Sequence, residues 1–400
     1  TVRLFRQAQE KDWSSVINKI NVELKKFFEE KFGHSIVSKD KSANVNDLQN
    51  DKKIFLALSK GENFGWGVCS KYLRKELAKK IDVTNTDELP NAQNVDGDLL
   101  HALTDIDFNS ITNLRGKGNF GYTFFENELT QKSVENAAKY DIVFGGSTWC
   151  KEKMEAKGIK NTGLLIQGID PDLFYPVENT RNDNLFIIFS GGKFELRKGQ
   201  DVVIKAFEIL HKKYLNMILI NAWYNFWPQT MATMKHSSHI KFEMKGNNWQ
   251  EFISGILSMN GIDLNRVFTL PETPNDKLRE LYSKSDIGIF PNRCEGGTNL
   301  VLMEYMACGK PVIASYNSGH KDVLTESNSI QLKEMKKFNL FSGQNMLADW
   351  EEASLDEIIN ALEFAYHNNE KIKNIGKKAG EDMKNFTWEK TAESFLSQID

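Results

Sequence analysis

The segment 287–315 reads IGIFPNRCEGGTNLVLMEYMACGKPVIAS, and it indicates the fold better than any other stretch of the chain. Its first four residues and the run PVIAS at its end have the length and composition of buried strands. Between them, LVLMEYMACG is apolar nearly all round, as a buried helix is. This order of strand, helix and strand is typical of a parallel sheet that helices cover on both faces. The turn EGGTN then lies beyond a strand's carboxyl end, where open α/β sheets bind their ligands.

The same alternation continues outward along the chain. Strand-like runs are KIFLAL, DLLHAL, YTFF and DIVFGG before residue 150, and NLFIIFS, MILINAW and RVFTLPE after residue 180. The polar, Pro-led stretch PVENTRNDN (176–184) separates the two series, as a linker does. The sequence therefore predicts an α/β protein with two doubly wound Rossmann-like domains that face a central cleft, and with extra helices at both termini.

This pattern divides the chain into four segments. Residues 1–50 are predicted as a helical lead-in or linker, and residues 51–178 as the N-terminal domain. Residues 179–380 are predicted as the C-terminal domain, and residues 381–400 as a closing helix with Thr387 as its N-cap. We expect the closing helix to pack back on the N-terminal domain. A length of 400 residues agrees with two or three domains at about 150 residues each.

Composition excludes several classes of protein. The 51 Lys and Arg residues against 54 Asp and Glu residues give a net charge of −3, so no basic excess is available for nucleic acid or an anionic membrane. No apolar run reaches the about 18 residues of a transmembrane helix. The four cysteines are scattered without a CxxC pair, which argues against a zinc site or a disulfide framework and favours the cytoplasm. Because the chain begins without Met, we expect it to belong to a larger multidomain protein.

The first candidate site is the loop SGGKFELRKGQD, residues 190–201, at the change from a strand to a helix. Gly192 permits close approach of a ligand, and Lys193 and Lys198 place two ammonium groups beside a helix N-terminus. Such an arrangement favours an anion, and a diphosphate carries the required charge. The alternative is a solvated basic loop, since most lysines are simply exposed.

The second candidate site is the turn Glu295–Asn299 with the helix that follows it. Backbone N–H groups at Gly297, Thr298, Asn299 and Leu300 would point toward a phosphate. The carboxylates of Glu295 and Glu304 suit hydrogen bonds to vicinal hydroxyls, such as a ribose diol or a sugar. The alternative is a capped helix with one exposed glutamate, but it explains Glu304 poorly because the neighbouring residues are apolar.

The two loops together resemble those of GT-B glycosyltransferases, and most resemble glycosyltransferase family 4. That family carries a G-R/K…K-G loop, then an E-x7-E segment followed by A-x-G-x-P-V-I-A. The matching residues here are Gly192, Lys193, Lys198 and Gly199, then Glu295, Glu304, Ala307, Gly309, Pro311, Val312, Ile313 and Ala314. The bridge WCKEKMEAKGIKNTGLLIQGIDPDLFYP (149–176) is also similar, with Gly168, Ile169, Asp170, Phe174 and Pro176 in place. The resemblance is strong over 141–314 and nearly absent over 1–50.

The resemblance implies a retaining glycosyltransferase that needs neither a cofactor nor a metal in the site. Its donor would be a UDP- or GDP-linked sugar on the C-terminal domain, and its acceptor a glycan or other hydroxyl compound on the N-terminal domain. Lys193 and Lys198 would neutralise the leaving diphosphate, Glu295 would touch the donor sugar, and Glu304 would hold the ribose. We expect a role in polysaccharide or glycoconjugate synthesis, in the cytoplasm or at a membrane through the acceptor or partners.

The sequence departs from the family pattern in two places. Glu295 and Glu304 are nine positions apart instead of eight, and we place the extra residue in the turn near Thr298 and Asn299. The family also commonly has a catalytic His after an N-domain strand, where this chain has Glu126. Glu126 is the natural substitute, and His101 is the other candidate, although a lone His after a strand is more often structural.

Two glycine-containing loops also resemble ligand-binding motifs. The loop GENFGWG, residues 61–67, has Gly65 where GT-B enzymes place a Gly-rich loop near the donor phosphates, but it also reads as an ordinary turn. The sequence GKGNFG (116–121) satisfies G-x-G-x-x-G but precedes a strand, which argues against dinucleotide binding. The alternatives to a transferase are a GT-B-like epimerase or phosphorylase, or a catalytically degenerate GT-B binding module.

Overall fold

The computed structural model describes residues 52–61, 64–89, 92–178, 181 and 183–400, and the helical lead-in predicted for residues 1–50 lies outside them. Residues 51–400 form one compact unit with two parallel sheets of six strands each. The predicted α/β class with two Rossmann-like sheets is therefore confirmed. Among the described residues, no helix is both long enough and apolar enough to cross a membrane.

The N-terminal sheet has the strand order β2-β1-β3-β4-β5-β6, with every neighbouring pair parallel. Its strands are β1 (Lys53–Ala57), β2 (Asp82–Asn85), β3 (Asp98–Leu103), β4 (Asn119–Thr123), β5 (Ile142–Gly145) and β6 (Thr162–Leu164). The helices that connect them are α1 (Gly65–Leu77), α2 (Gln131–Ala137) and α3 (Thr148–Ala156).

The C-terminal sheet has the order β12-β11-β10-β7-β8-β9 and is also parallel throughout. Its strands are β7 (Phe186–Gly191), β8 (Met217–Ala222), β9 (Val267–Thr269), β10 (Ile287–Phe290), β11 (Val312–Ser315) and β12 (Ile330–Leu332). The helices are α4 (Gln200–Lys213), α5 (Pro228–Met231), α6 (Trp249–Met259), α7 (Leu278–Ser283), α8 (Leu300–Ala307), α9 (Leu355–His367), α10 (Asn369–Met383) and α11 (Trp388–Ile399). A hairpin, β13 (Met335–Ser342) with β14 (Asn345–Ala353), follows β12.

The strands form where the sequence has short, uninterrupted apolar runs. All residues of β7 and β10 are buried, as expected for central strands with helices on both faces. The neighbouring helix α8 is also almost entirely buried. Strand β4 begins at Asn119 and ends at Thr123, earlier than the run YTFF suggests, because the chain beyond Thr123 turns toward the C-terminal domain.

The closing helix α11 crosses back to the N-terminal sheet. The Thr387 side chain accepts a hydrogen bond from the backbone N–H of Lys390, so the helix begins at the predicted cap. Trp388 and Phe395 are buried in the core of the N-terminal domain, and Trp388 stacks on Tyr72 of α1 with ring centroids 6.3 Å apart. Burial of this apolar face holds the end of the chain on the N-terminal domain.

The hairpin β13–β14 is an element that our sequence analysis did not predict. It also joins the two domains. The Trp350 indole N–H donates to the backbone oxygen of Glu126 at 2.6 Å, and the N–H of Glu128 donates to the oxygen of Leu347 at 2.9 Å. A strand pair of the C-terminal half therefore lies directly against the loop that carries Glu126.

Candidate functional site

The candidate site lies at the carboxyl ends of two neighbouring strands, β7 and β10. The loop after β7 supplies Lys198, and the loop after β10 supplies Glu295. The Lys198 Nζ lies 2.5 Å from Glu295 Oε1, with side-chain exposures of 10% and 5%. The two predicted residues are therefore brought together as a buried ion pair, 97 positions apart in the sequence.

Arg197 adds a second cation to this pair. Its Nη1 lies 3.1 Å from Glu295 Oε2 and 3.2 Å from Glu126 Oε1, so one guanidinium nitrogen contacts carboxylates from both domains. Its Nη2 pairs with Glu195 at 2.7 Å. The sequence analysis missed Arg197 because a basic residue in the loop LRKG reads as solvent-exposed; its position beside Lys198 was the signal available.

The charges of this cluster determine the state of Glu295. Burial by itself would raise the pKa of Glu295, but the adjacent Lys198 and Arg197 outweigh it and lower that pKa to about 2. Burial and the nearby Arg197 lower the pKa of Lys198, against the attraction of Glu295. The carboxylate is therefore ionised at neutral pH, and a ligand that binds Lys198 must compete with it.

Glu126 brings the N-terminal domain into the site. The N–H of Gly296 donates to Glu126 Oε1 at 3.3 Å, beside the contact with Arg197. The close approach of the two backbones requires glycine at position 296, because a Cβ there would lie 2.4 Å from the backbone oxygen of Phe125. The hydroxyl of Ser147, at the start of α3, donates to the Gly296 oxygen at 2.7 Å. The glycine turn of one domain therefore packs against the backbone of the other.

The start of α8 carries Asn299, one of the two residues near which the sequence analysis places the extra residue of the glutamate motif. Asn299, the N-cap, has φ of 65°, in the left-handed region, and its side chain accepts from the N–H of Leu302. The helix begins at Leu300, and Glu304 therefore lies within its second turn. Thr298 is fully buried, and its hydroxyl donates a hydrogen bond to the sulfur of Met303.

His320 positions the cap and was not found by sequence reasoning. Its Nδ1 lies 3.0 Å from the backbone oxygen of Ser315, which can only accept, so Nδ1 carries the proton. Its Nε2 then accepts from the Asn299 amide at 3.1 Å. Burial lowers the pKa of His320 to about 4, and the ring is neutral at physiological pH.

Glu304 lies in α8 with partners of its own. Its carboxyl group accepts from the Asn275 amide at 2.7 Å and from the Tyr282 hydroxyl at 3.4 Å. The Tyr72 hydroxyl of α1 donates to the same Asn275 side chain at 3.3 Å, which connects the N-terminal domain to Glu304. Burial raises the pKa of Glu304 to about 8, although the hydrogen bonds from Asn275 and Tyr282 lower it.

This raised pKa makes stability depend on pH. Folded Glu304 holds its proton up to about pH 8, whereas the ordinary pKa of a glutamate side chain is 4.5. The folded state therefore binds more protons within that window, and the free energy of unfolding falls as the pH rises through it. We expect Glu304→Gln to flatten this dependence and to make the chain more stable than wild type above pH 8, by up to about 5 kcal/mol. Urea unfolding from pH 5 to pH 9 measures both; parallel curves for variant and wild type would contradict the prediction.

Lys193 and Gly65 lie near an aromatic contact between the domains. The Lys193 Nζ lies 4.9 Å from the Trp227 ring centroid and 3.8 Å from a carboxylate oxygen of Glu195. Phe64, directly before Gly65 at the start of α1, contacts the Trp227 ring with a centroid distance of 5.0 Å. A Cβ at Gly65 would meet no atom within 4 Å. Gly192, one residue before Lys193, has φ of 102°, which favours glycine.

His101 is not brought into this cluster. It lies within β3 rather than at the strand's carboxyl end, and its side chain is fully buried. Its ring nitrogens lie 2.9 Å from the Ser110 hydroxyl and 3.4 Å from the Asn119 side-chain oxygen. Burial lowers the pKa of His101 to about 4. Its partners are thus those of a neutral core histidine, and of the two candidates only Glu126 touches the Arg197–Glu295 cluster.

Groups that resemble metal sites are occupied by other interactions. Asp201, His239 and Glu352 place potential ligand atoms within 4.8 Å of one another, but the buried Arg293 guanidinium binds both carboxylates. The triplet Asp105–Ile106–Asp107 has the form D-x-D, yet Asp105 accepts from N–H groups in its own turn and Asp107 from the Thr130 hydroxyl. Neither group contacts Arg197 or Glu295.

Comparisons with known proteins agree with this geometry. Residues 174–331, which include both candidate loops, match the model of the family described as Glycosyl transferases group 1. An uncharacterized glycosyltransferase of Methanocaldococcus jannaschii is 25% identical over 251 residues, which cover 62% of this chain and 56% of that protein. The chain thus spans little more than half the length of this curated relative.

Two solved structures show the same architecture. Sucrose-phosphate synthase from Thermosynechococcus elongatus is similar with a TM-score of 0.61 at 15% identity, over 87% of this chain and 98% of that one. HepE of Anabaena, solved in complex with UDP and glucose, has a TM-score of 0.59 at 13% identity, over 87% of this chain and 99% of that one. The fold is therefore GT-B, as the sequence predicted; membership of family 4 in particular stays a prediction.

Proposed function

We propose that this GT-B chain is a glycosyltransferase that moves a sugar from a nucleotide-diphosphate sugar to a hydroxyl group of a glycan or other acceptor. One observation carries the proposal. Two buried cations, Arg197 and Lys198, contact one ionised carboxylate, Glu295, beside the glycine turn that begins α8. The start of α8 can bind phosphate, and the adjacent Glu295 carboxylate can accept hydrogen bonds from sugar hydroxyls. A sugar diphosphate requires both groups side by side.

In this proposal the loop after β7 binds the diphosphate. Lys198 and Lys193 supply positive charge, Gly192 lets the ligand approach, and the backbone from Gly297 to Leu300 offers N–H groups. As the bond between the sugar and the diphosphate breaks, negative charge grows on the leaving oxygen, and preorganised cations stabilise it. Lys198 would then exchange part of its contact with Glu295 for the phosphate, since both anions compete for one ammonium group.

Glu295, freed from part of its ion pair, would accept hydrogen bonds from the donor sugar. Glu304 would bind the ribose diol, replacing its present contact with Asn275. Glu126 would contact hydroxyls of the sugar or the acceptor, since it reaches the cluster from the N-terminal domain. The bond to the acceptor oxygen forms as the bond to the diphosphate breaks, and the acceptor proton leaves with the nucleoside diphosphate.

The finer features of the proposal rest on the family resemblance and on a structural neighbour. Retention of configuration and metal independence are properties that the resemblance implies, and Arg197 with Lys198 offers the charge that a metal ion would otherwise supply. UDP is the first nucleotide to test, because HepE was solved with UDP and glucose. We further propose a role in polysaccharide or glycoconjugate synthesis in the cytoplasm, with which four free, buried cysteines agree.

The proposal is tested first by nucleotide binding. We expect one of UDP, GDP, ADP and CMP to raise the unfolding temperature, since a ligand at 100 times its dissociation constant adds about 2.7 kcal/mol of stability. The matching nucleotide sugar should then be consumed with an acceptor, and NMR of the product should show the donor's anomeric configuration. Stabilisation without transfer would favour an epimerase, a phosphorylase or a binding module. If no nucleotide stabilises the folded chain, the proposal is wrong.

A further inference from the structure

A cavity of about 170 Å³ opens where three segments of the two domains meet. The first is the loop Phe125–Leu129 after β4, the second is α3, and the third is strand β14 of the hairpin. The residues that line the cavity are Phe125, Glu126, Asn127, Glu128, Leu129, Trp149, Lys153, Ala156, Lys157 and Asp349. The cavity therefore exists only where both domains are in contact.

The cavity adjoins the candidate site through Glu126. Glu126 lines the cavity, and one of its side-chain oxygens lies 3.2 Å from Arg197 and accepts from the N–H of Gly296. Its backbone oxygen accepts from Trp350, the residue after Asp349 in the opposite wall. A molecule in the cavity would therefore lie beside Glu126, whose carboxylate shares the Arg197 guanidinium with Glu295.

The walls carry the groups that bind a sugar ring. Trp149 is half-buried, and the Lys153 ammonium lies 5.6 Å from its ring centroid. Glu128 and Asp349 line the cavity from opposite walls, and the Asp349 carboxylate also lies 3.9 Å from the Lys337 ammonium group. Within the described part of the chain, no ion pair within 4.0 Å occupies the side chains of Glu128, Lys153 or Lys157, whereas most other charges around the site are paired. An aromatic face with polar groups around it suits the apolar face and the hydroxyls of a pyranose.

We infer that this cavity binds a pyranose ring of the acceptor glycan, with its reactive hydroxyl directed past Glu126 toward the donor. The inference rests on the proposed function, because it assigns the acceptor to a site beside the donor's. It also gives the hairpin a role: Asp349 of the C-terminal half completes a site whose other walls belong to the N-terminal domain. The acceptor is thus a glycan, recognised by an aromatic face and two opposing carboxylates.

The test compares sugar binding in matched variants of the full chain. The probes are methyl α-D-glucopyranoside, methyl α-D-mannopyranoside and methyl α-D-glucuronide, followed by saturation-transfer NMR in the presence of UDP. We expect at least one to bind wild type, and the double variant Glu128→Gln/Asp349→Asn to bind it about tenfold more weakly, since each substitution weakens a charge-assisted hydrogen bond. Glu152→Gln, on the exposed face of α3, is the control and should bind as wild type does.

The outcomes separate this inference from the proposed function. UDP stabilisation is measured in every variant, and it should be unchanged because neither Glu128 nor Asp349 touches the donor residues. If UDP binds but the double variant binds the pyranosides as well as wild type, or if no pyranoside binds wild type, the acceptor inference is overturned and the proposed function stands. If no nucleotide binds, the proposed function fails by its own test, whatever the pyranosides do. Thermal unfolding of the double variant confirms that it is folded.

Discussion

Replacing Lys198 by alanine is expected to lower the rate of sugar transfer by about 10²–10³-fold and to abolish most of the stabilisation by the bound nucleotide. The side chain is buried and its ammonium group lies 2.5 Å from Glu295, at the place where we propose the diphosphate binds. Removing one preorganised cation from a buried site raises the activation free energy far more than removing one from the surface, because no water replaces its charge there.

Two variants make this result specific. Lys205→Ala removes a lysine of α4 that pairs with Glu208 at the helix surface, and we expect it to leave transfer unchanged. Glu295→Gln removes the ionic partner of Lys198 but keeps the cation, so nucleotide binding should persist while transfer falls. A loss of less than tenfold in Lys198→Ala, with the protein folded, would show that the cation does not stabilise the leaving group. Equal effects of Lys198→Ala and Glu295→Gln on nucleotide binding would mean that Lys198 acts only through Glu295.

The second large effect concerns stability. We expect Arg293→Met to lower the free energy of unfolding by about 3–5 kcal/mol, because it leaves buried carboxylates without their cation. Arg293 is fully buried, and its two terminal nitrogens donate to the two oxygens of Asp201 at 2.8 and 2.7 Å. Its Nε donates to Glu352 of β14 at 2.9 Å. One side chain therefore ties α4, the hairpin and the loop of Glu295 together.

Urea unfolding of wild type, Arg293→Met and the double variant Arg293→Met/Asp201→Leu measures this effect. The double variant should recover much of the loss, since a buried ion pair can be replaced by apolar groups whereas a single buried charge is costly. Arg74→Met is the matched control: Arg74 pairs with Glu88 at the surface at 3.3 Å, and we expect a change within about 1 kcal/mol. A loss below about 1 kcal/mol in Arg293→Met would refute this account of the network.

The predicted residues that the structure brings into the cluster share one property: each follows a strand. Lys198 and Glu295 lie directly after β7 and β10, and parallel neighbouring strands deliver such residues to one edge of the sheet. Glu126 follows β4 and reaches the same cluster from the other domain. His101 does not join the cluster, because it lies inside β3, where side chains point into the layers that cover the sheet.

Arg197 and the hairpin show where local patterns are insufficient. A basic residue beside a lysine looks the same in sequence whether it is solvated or buried between three carboxylates. The hairpin carries no motif, so nothing local marks β14 as a wall against residues 125–129. Only the packing of the two domains decides such contacts.

The sequence by itself determined the two parallel sheets, the loops that end at the candidate site and the closing helix, because periodicity, glycine turns and caps act over a few residues. Only the tertiary structure decided which charges meet: Arg197 between Glu126 and Glu295, Arg293 on Asp201 and Glu352, and the cavity beside Trp149. The two residues of each ion pair are tens of positions apart in the sequence, and the energy of the pair depends on burial and distance, which exist only once the domains have packed.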